Sequence, residues 1–198
     1  MPACFATTCE LLCRQVLDVF DPSRQGVSLS VFKCAVPQHD QMVRHLFLEY
    51  RAEATQEDLE GGVQKIFLGR ESVAGQALVH HGLCVGEPSR IQTDGFLQTR
   101  GWNPLAASLA AAPIVRAQEF AGVVLLAQAQ PQAFTTQHLT LLQQCSQLLA
   151  IGISASEWYP PERIALCLMP PQMSQQTALA SLQSPFDQQC SAEEVRNG

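Results

Sequence analysis

Leu109-Ala110-Ala111-Ala112-Pro113-Ile114-Val115-Arg116-Ala117-Gln118-Glu119-Phe120-Ala121-Gly122-Val123-Val124-Leu125-Leu126-Ala127 is the stretch on which the fold turns. Two apolar runs, Leu109 to Val115 and Phe120 to Ala127, flank the turn Arg116 to Glu119, which is the pattern of a β-hairpin. The second run is apolar on both alternations. A strand with no polar face keeps neither side in water, so it belongs at the centre of a sheet with a layer on each side.

Outward from this hairpin the layers can be named. Phe134 and Thr135 open a long helix, with Thr135 as cap and Phe134 placed to staple onto Leu139. That helix carries two adjacent stripes, Leu139, Leu142, Leu149 and Ile153 on one, and Leu141, Cys145 and Leu148 on the other. Near the N-terminus, Phe5, Cys9, Leu12, Cys13, Val16 and Phe20 recur at three- and four-residue steps, one face of a second helix. It stops at Asp21-Pro22-Ser23-Arg24-Gln25-Gly26, where a proline ends helical pairing. Val27 to Val36 reads as a strand buried on both sides for part of its length, and Met42 to Tyr50 as its hairpin partner. Lys65 to Leu68 reads as a short apolar strand or bend. Ser72 stands where a helix N-cap belongs and Gly82 where a left-handed C-cap belongs. Arg90 to Ala107, with Asp94-Gly95, Gly101 and Asn103-Pro104, reads as a long, partly helical loop.

After Trp158 the character changes. Pro160-Pro161, Pro170-Pro171 and a scatter of glutamines rule out a continuous helix. The division is therefore a domain over 1–157 and a Pro/Gln-rich tail over 158–198, mostly extended or disordered, in which Ile164 to Met169 is an apolar docking segment. The fold class is α+β: a central antiparallel sheet of five or six strands, with the N- and C-terminal helices on one face and an extended C-terminal tail.

Composition excludes several functions. The chain has 198 residues, and its 46% hydrophobic content suffices for one core with an appendage. With 12 Lys+Arg against 18 Asp+Glu, a net charge of −6 and only Lys33 and Lys65 as lysines, it lacks the cationic cluster that nucleic-acid binding requires. An anionic membrane surface is excluded on the same ground. No run nears the roughly 20 apolar residues of a membrane crossing. Met1-Pro2-Ala3-Cys4-Phe5 lacks the basic and apolar regions of a secretory signal. The eight cysteines show no CxxC pair, which fits reduced thiols and a cytoplasmic location.

The order helix, two strands, short helix, strand, variable loop, two strands, long helix resembles the GAF domain, a relative of PAS domains. Gly69 to Leu78 is similar to the family's glycine turn into a short helix, and His81-Gly82-Leu83-Cys84-Val85 to the turn and strand that follow. Pro113-Ile114-Val115 resembles its apolar-Pro-apolar strand end, and Phe134 with its helix the closing helix. Residues 5 to 157 fit the pattern. The resemblance implies a pocket between the sheet and a roof of short helix and loop, where relatives bind cyclic nucleotides, bilins and other small molecules. It also implies terminal helices that pair between subunits.

The chemistry of individual relatives does not carry over. Bilin carriers use a cysteine on the loop, and Arg90 to Ala107 has none. The cyclic-nucleotide Asn-Lys…Phe…Asp-Glu set is absent. Relatives that reduce free methionine sulfoxide need a thiolate in the glycine turn, where this chain has Val73-Ala74. Cys9 and Cys13, at i and i+4, make a poor zinc site without further ligands. His80-His81 suits the negative end of a helix dipole better than a metal, because adjacent helical residues point about 100° apart. No phosphate-cradling glycine loop or GxSxG motif occurs.

The expected function is a non-catalytic regulatory module binding a small molecule or a partner protein, with no cofactor and no metal. The expected ligand residues are Phe67, Arg90, Asp94, Arg100, Trp102 and Ser108. Phe5, Leu12, Val16, Leu139, Leu142 and Leu149 are the expected dimer or partner residues, and a homodimer is the expected assembly. The alternative is an adaptor or assembly protein with a filled pocket, working through its helices and tail.

Overall fold

The computed structural model describes residues 3–22, 26–38, 40–53, 66–86, 106–131, 133–170, 174–179 and 181. Six strands form one antiparallel sheet: β1 (Ser28–Cys34), β2 (Leu46–Glu53), β3 (Phe67–Leu68), β4 (Cys84–Gly86), β5 (Ser108–Arg116) and β6 (Glu119–Gln128). Their spatial order is β3-β2-β1-β6-β5-β4. The decisive hairpin is thus β5–β6, and β6 lies between β5 and β1 as its two apolar faces require. The approach of β1 to β6 is close: a Cβ on Gly122 would stand 2.1 Å from the Phe32 carbonyl oxygen. Only glycine fits there without moving backbone.

Each face has its own core. On one, α1 (Ala3–Phe20) and α3 (Thr136–Gly152) cover Leu29, Val31, Ala112, Ile114, Val124 and Leu126. On the other, α2 (Val73–Val79) lies over β5 and β6, above Leu109, Ala111, Val123 and Leu125. Lys33 faces the helix side. Its buried ammonium donates to the Glu157 carboxylate and stands 4.9 Å from the Phe5 ring centre. Glu157 also accepts from the Ser154 N–H at 3.3 Å, so this pair ties the turn after α3 to the sheet.

Local signals hold where side chain meets backbone. Ser72 caps α2, accepting from the Gly75 N–H at 2.9 Å, and Thr135 caps α3 in a capping box with His138. Three expectations need correcting. The partner strand of β1 begins at Leu46 rather than Met42, because Val43 and Arg44 pair with the C-terminal segment instead. The left-handed residue after α2 is His81, at φ 55°, rather than Gly82. Its ring lies against Phe120, centroids 4.9 Å apart, which holds it there. The Arg116–Glu119 turn carries positive φ at Ala117 (50°) and Gln118 (67°), a geometry glycine or asparagine takes more easily.

The third correction concerns the chain after Trp158. It is extended, as its prolines predict, but over 158–170 it is a strap packed on the domain. Tyr159 and Phe120 exchange main-chain hydrogen bonds of 2.9 and 2.8 Å, and the Arg116 guanidinium covers the Trp158 ring at 4.4 Å. Val43 donates to the Arg163 carbonyl, and Ala165 and Cys167 donate to the carbonyls of Val43 and Arg44. Leu166 enters the α2-side core, so the apolar docking segment is engaged. The Glu71 carboxylate then accepts from the Gly69 N–H (2.8 Å) and the Met169 N–H (2.9 Å), joining the strap to the turn that caps α2.

The turn supplies a test. Ala117→Asn combined with Gln118→Gly should raise unfolding stability by about 1 kcal/mol, since both left-handed positions lose their steric cost. Urea unfolding of the full chain measures it. An unchanged midpoint would show that the turn carries no strain.

Candidate functional site

The α2 face of the sheet is uneven. Among the described residues, α2 packs on β4, β5 and β6, while the β1–β2 half of that face has no described helix over it. Strand register arranges this half in rows. One row runs Arg51, Ser30, Leu125, Ala111, Cys84, and the next runs through Ser28, Ala127, Leu109, Gly86. Both serines are buried, Ser28 at 3% and Ser30 at 0% exposure, and neither hydroxyl has a hydrogen-bond partner. Buried hydroxyls are ordinarily paired, and an unpaired one costs about 1–3 kcal/mol. Arg51 shares their face. Its neighbour Tyr50 points the other way, into the helix side beside Arg14.

These three residues were missed in the sequence, where Ser28-Leu29-Ser30 sits at the start of an otherwise apolar run. The available signal was the two-residue repeat of polar side chains, which places both serines on one face.

The expected ligand residues do not assemble. Arg90, Asp94, Arg100 and Trp102 lie outside the described residues. Phe67 is on the edge strand β3, its ring edge-on to His45 at 5.2 Å. Its main chain is occupied by Gln175, whose amide accepts from the Phe67 N–H (3.1 Å) and donates to the Phe67 carbonyl (2.9 Å). Ser108 is buried on β5, donating to the Gln130 carbonyl at 2.8 Å and accepting from the Ala133 N–H at 3.3 Å. That hydroxyl braces the turn before α3. The Phe67 row crosses the sheet through Phe47, Lys33 and Gly122 to Ile114, six residues from Ser108 along β5. At about 3.3 Å per residue and 4.8 Å per strand, Phe67 and Ser108 sit at opposite corners of the sheet.

The expected helix residues face inward. Phe5, Val16, Leu142 and Leu149 are buried within the chain, and Leu12 and Leu139 pack at the edge of the same core. Leu11 (61% exposed), Val19 (67%), Leu148 (50%) and Ile151 (78%) are the apolar side chains these helices show to solvent.

The buried thiols Cys9, Cys13 and Cys34, and the half-buried Cys84, are unsuited to nucleophilic work. Burial pushes Cys9 and Cys34 up to about 12. A hydrogen bond with Cys145, aided by burial, raises Cys13, and burial raises Cys84. Each therefore stays protonated near neutrality, and the thiol form is a weak nucleophile. Among the described residues no group of three or more His, Cys, Asp or Glu side chains could hold a metal ion. No helix among them is long and apolar enough to cross a membrane.

The GAF domain profile matches residues 3–153. This chain belongs to the GAF domain family. Solved structures agree in fold. The GAF domain of a two-component sensor histidine kinase from Bacillus halodurans is 16% identical with a TM-score of 0.54, over 73% of this chain and 92% of that one. A GAF domain/HD domain protein from Geobacter sulfurreducens is 11% identical with a TM-score of 0.55, over 77% and 93%. A type II free methionine-R-sulfoxide reductase from Thermoplasma acidophilum is 16% identical with a TM-score of 0.52, over 74% and 90%. No curated protein sequence matches this GAF chain.

One titration follows from the site's edge. Burial holds His45 below its ordinary 6.5, so the folded protein favours neutral imidazole. The unfolded chain then binds more protons as pH falls through 6.5, and stability declines on acidification. Lowering pH from 7.5 to 5 should depress the melting temperature more for the native chain than for His45→Gln. Parallel curves for the two proteins would remove His45 as the cause.

Proposed function

We propose that this GAF domain is a non-catalytic regulatory module that binds a small molecule on the α2 face of its sheet and relays occupancy through α1 and α3. The observation that carries this reading is the pair of buried, unpartnered hydroxyls, Ser28 and Ser30, on the half of that face that α2 leaves uncovered. Orphaned buried donors are tolerated where a ligand completes them. Family membership supports the reading, since such domains serve widely in sensing and regulation. The likeness to a sulfoxide reductase is one of fold alone, and the turn Gly69 to Gly75 carries Ser72, Val73 and Ala74 where a thiolate would be needed.

Relay through the helices requires a partner for them, and we assign a second copy of this chain. Leu11, Val19, Leu148 and Ile151 supply the exposed apolar side chains for it. Ile151→Glu with Leu148→Glu should give monomers in sedimentation at concentrations where the native chain is dimeric, with the melting temperature held within a few degrees. A native chain that sediments as monomer at micromolar concentration would overturn the helix-paired assembly. Native mass spectrometry of protein from its own source tests the ligand: a bound small molecule is the expected result, and bare protein argues against it.

A second reading, an adaptor with a filled site, is favoured by Leu168, which stands exposed on the strap. Leu168→Asp would then lose a protein partner while any small-molecule binding stays intact.

A further inference from the structure

We infer that the first turn of α2 and the distal strap, residues 163–170, open and close as one unit held by the Glu71 carboxylate, so that the position of α2 decides whether the strap is docked. The common opening stands on its own contacts. Its use as an output rests on the reading that the α2 face holds a small molecule, to which it adds a second relay besides α1 and α3.

The latch is a single side chain. Glu71 is buried and spends its two carboxylate oxygens on different segments, one accepting from the Gly69 N–H at 2.8 Å and the other from the Met169 N–H at 2.9 Å. Bonds of this kind, to a carboxylate, are the strong ones. From Gly69 they run on into α2. The Gly69 carbonyl accepts from the Ser72 hydroxyl at 2.8 Å, and that hydroxyl accepts from the Gly75 N–H at 2.9 Å. Sterics repeat the connection: a Cβ on Gly69 would strike the Cys167 carbonyl, and one on Gly75 would strike the Gly69 carbonyl. With no slack at this junction, α2 cannot shift there without carrying the strap.

The strap is anchored unevenly. Trp158 and Tyr159 are buried, with Tyr159 paired to Phe120 and Trp158 under the Arg116 guanidinium. Pro160 and Pro161 follow, and neither has an N–H to give to a ladder. Over 163–170 Leu166 is the buried side chain, while Cys167, Leu168 and Pro170 are exposed. Main-chain bonds to Val43, Arg44 and Arg70 make up much of the hold there. Segments with few buried apolar contacts open at a lower free energy than the whole domain. The proline pair marks where that weaker part begins.

Gln175 closes the far end. Its amide donates to the Pro170 carbonyl at 2.8 Å and to the Phe67 carbonyl at 2.9 Å, and accepts from the Phe67 N–H at 3.1 Å. Phe67 lies two residues before Gly69, so the strap is tied on both sides of Glu71 to the connection that leads into α2.

Residue-resolved amide hydrogen exchange of the full chain tests the unit, under conditions where closing is fast relative to exchange. The amides of Ala165, Cys167 and Met169 on the strap, and of Arg70, Gly75 and Gln76 at α2, should share one protection, at least about tenfold below that of β1 and β6. Glu71→Gln should speed both groups together by about tenfold, from the loss of charge-assisted bonds. Gln175→Ala, a milder change that keeps the test available if Glu71→Gln does not fold, should speed both severalfold. Ile114→Val weakens the sheet that stays closed, so it should speed β1 and β6 and leave both groups at their native rates. Unequal protection of strap and α2, a response confined to one of them, or acceleration of both by Ile114→Val would overturn the common opening. Bare protein in native mass spectrometry would sink the small-molecule reading and leave the unit standing, whereas unequal opening sinks the unit and leaves any bound molecule in place.

Discussion

The two-sided burial of β6 and its neighbour β1 governs this molecule. Residues 120–127 of β6 are buried without a polar interruption, so the strand can exist only where both faces of the sheet are covered. One cover comes from the two ends of the matched GAF region, α1 and α3, packed on each other and on the sheet. The other comes from the middle and the C-terminal strap, because α2, Ile66, Tyr159 and Leu166 share one core. Hydrophobic burial is non-directional and supplies the drive. The register is set by close backbone contacts such as Gly122 against Phe32, which admit one alignment.

The strap gives the covers a mechanical link. It leaves α3 on the helix side, pairs Tyr159 with Phe120, follows residues 43 and 44, and ends on the turn that caps α2. A Cβ on Gly69 would lie 2.0 Å from the Cys167 carbonyl oxygen, so this junction is as tight as the sheet itself. The buried Glu71 carboxylate bonds both sides of it. Gln175 then caps the edge strand with a side-chain amide in place of another strand, which removes the open edge that invites aggregation. Movement of α2 is therefore felt at the strap as well as at the sheet.

Much of this was legible because the signals were local. Ser72 and Thr135 cap through bonds to residues three positions on, and the β5–β6 hairpin closes within four residues, so a short window of sequence contains the cause. The strap was not legible for the opposite reason. Its bonds join Val43 to Arg163 and Glu71 to Met169, and its prolines read as breaks although they hold the chain in the extended form the docking needs. The same long-range pairing explains why Met42 to His45 read as the start of β2. The helix residues were found but given the wrong direction, since periodicity marks an apolar face without saying whether that face meets its own sheet or another molecule.

The candidate site was hidden by averaging. Val27 to Val36 contains enough apolar residues to read as a strand buried on both sides for part of its length, and within it Ser28 and Ser30 look like tolerated substitutions. Only the register shows that they share a face with each other and with Arg51, in rows with Leu125 and Ala111 and with Ala127 and Leu109. The contrast with Lys33 is instructive. That buried charge, three residues on and facing the other way, has its carboxylate from Glu157 and an aromatic ring beside it, so its burial is compensated within the chain. The charged group on the helix face of β1 is satisfied by the fold, whereas the Ser28 and Ser30 hydroxyls on the α2 face are buried without a hydrogen-bond partner.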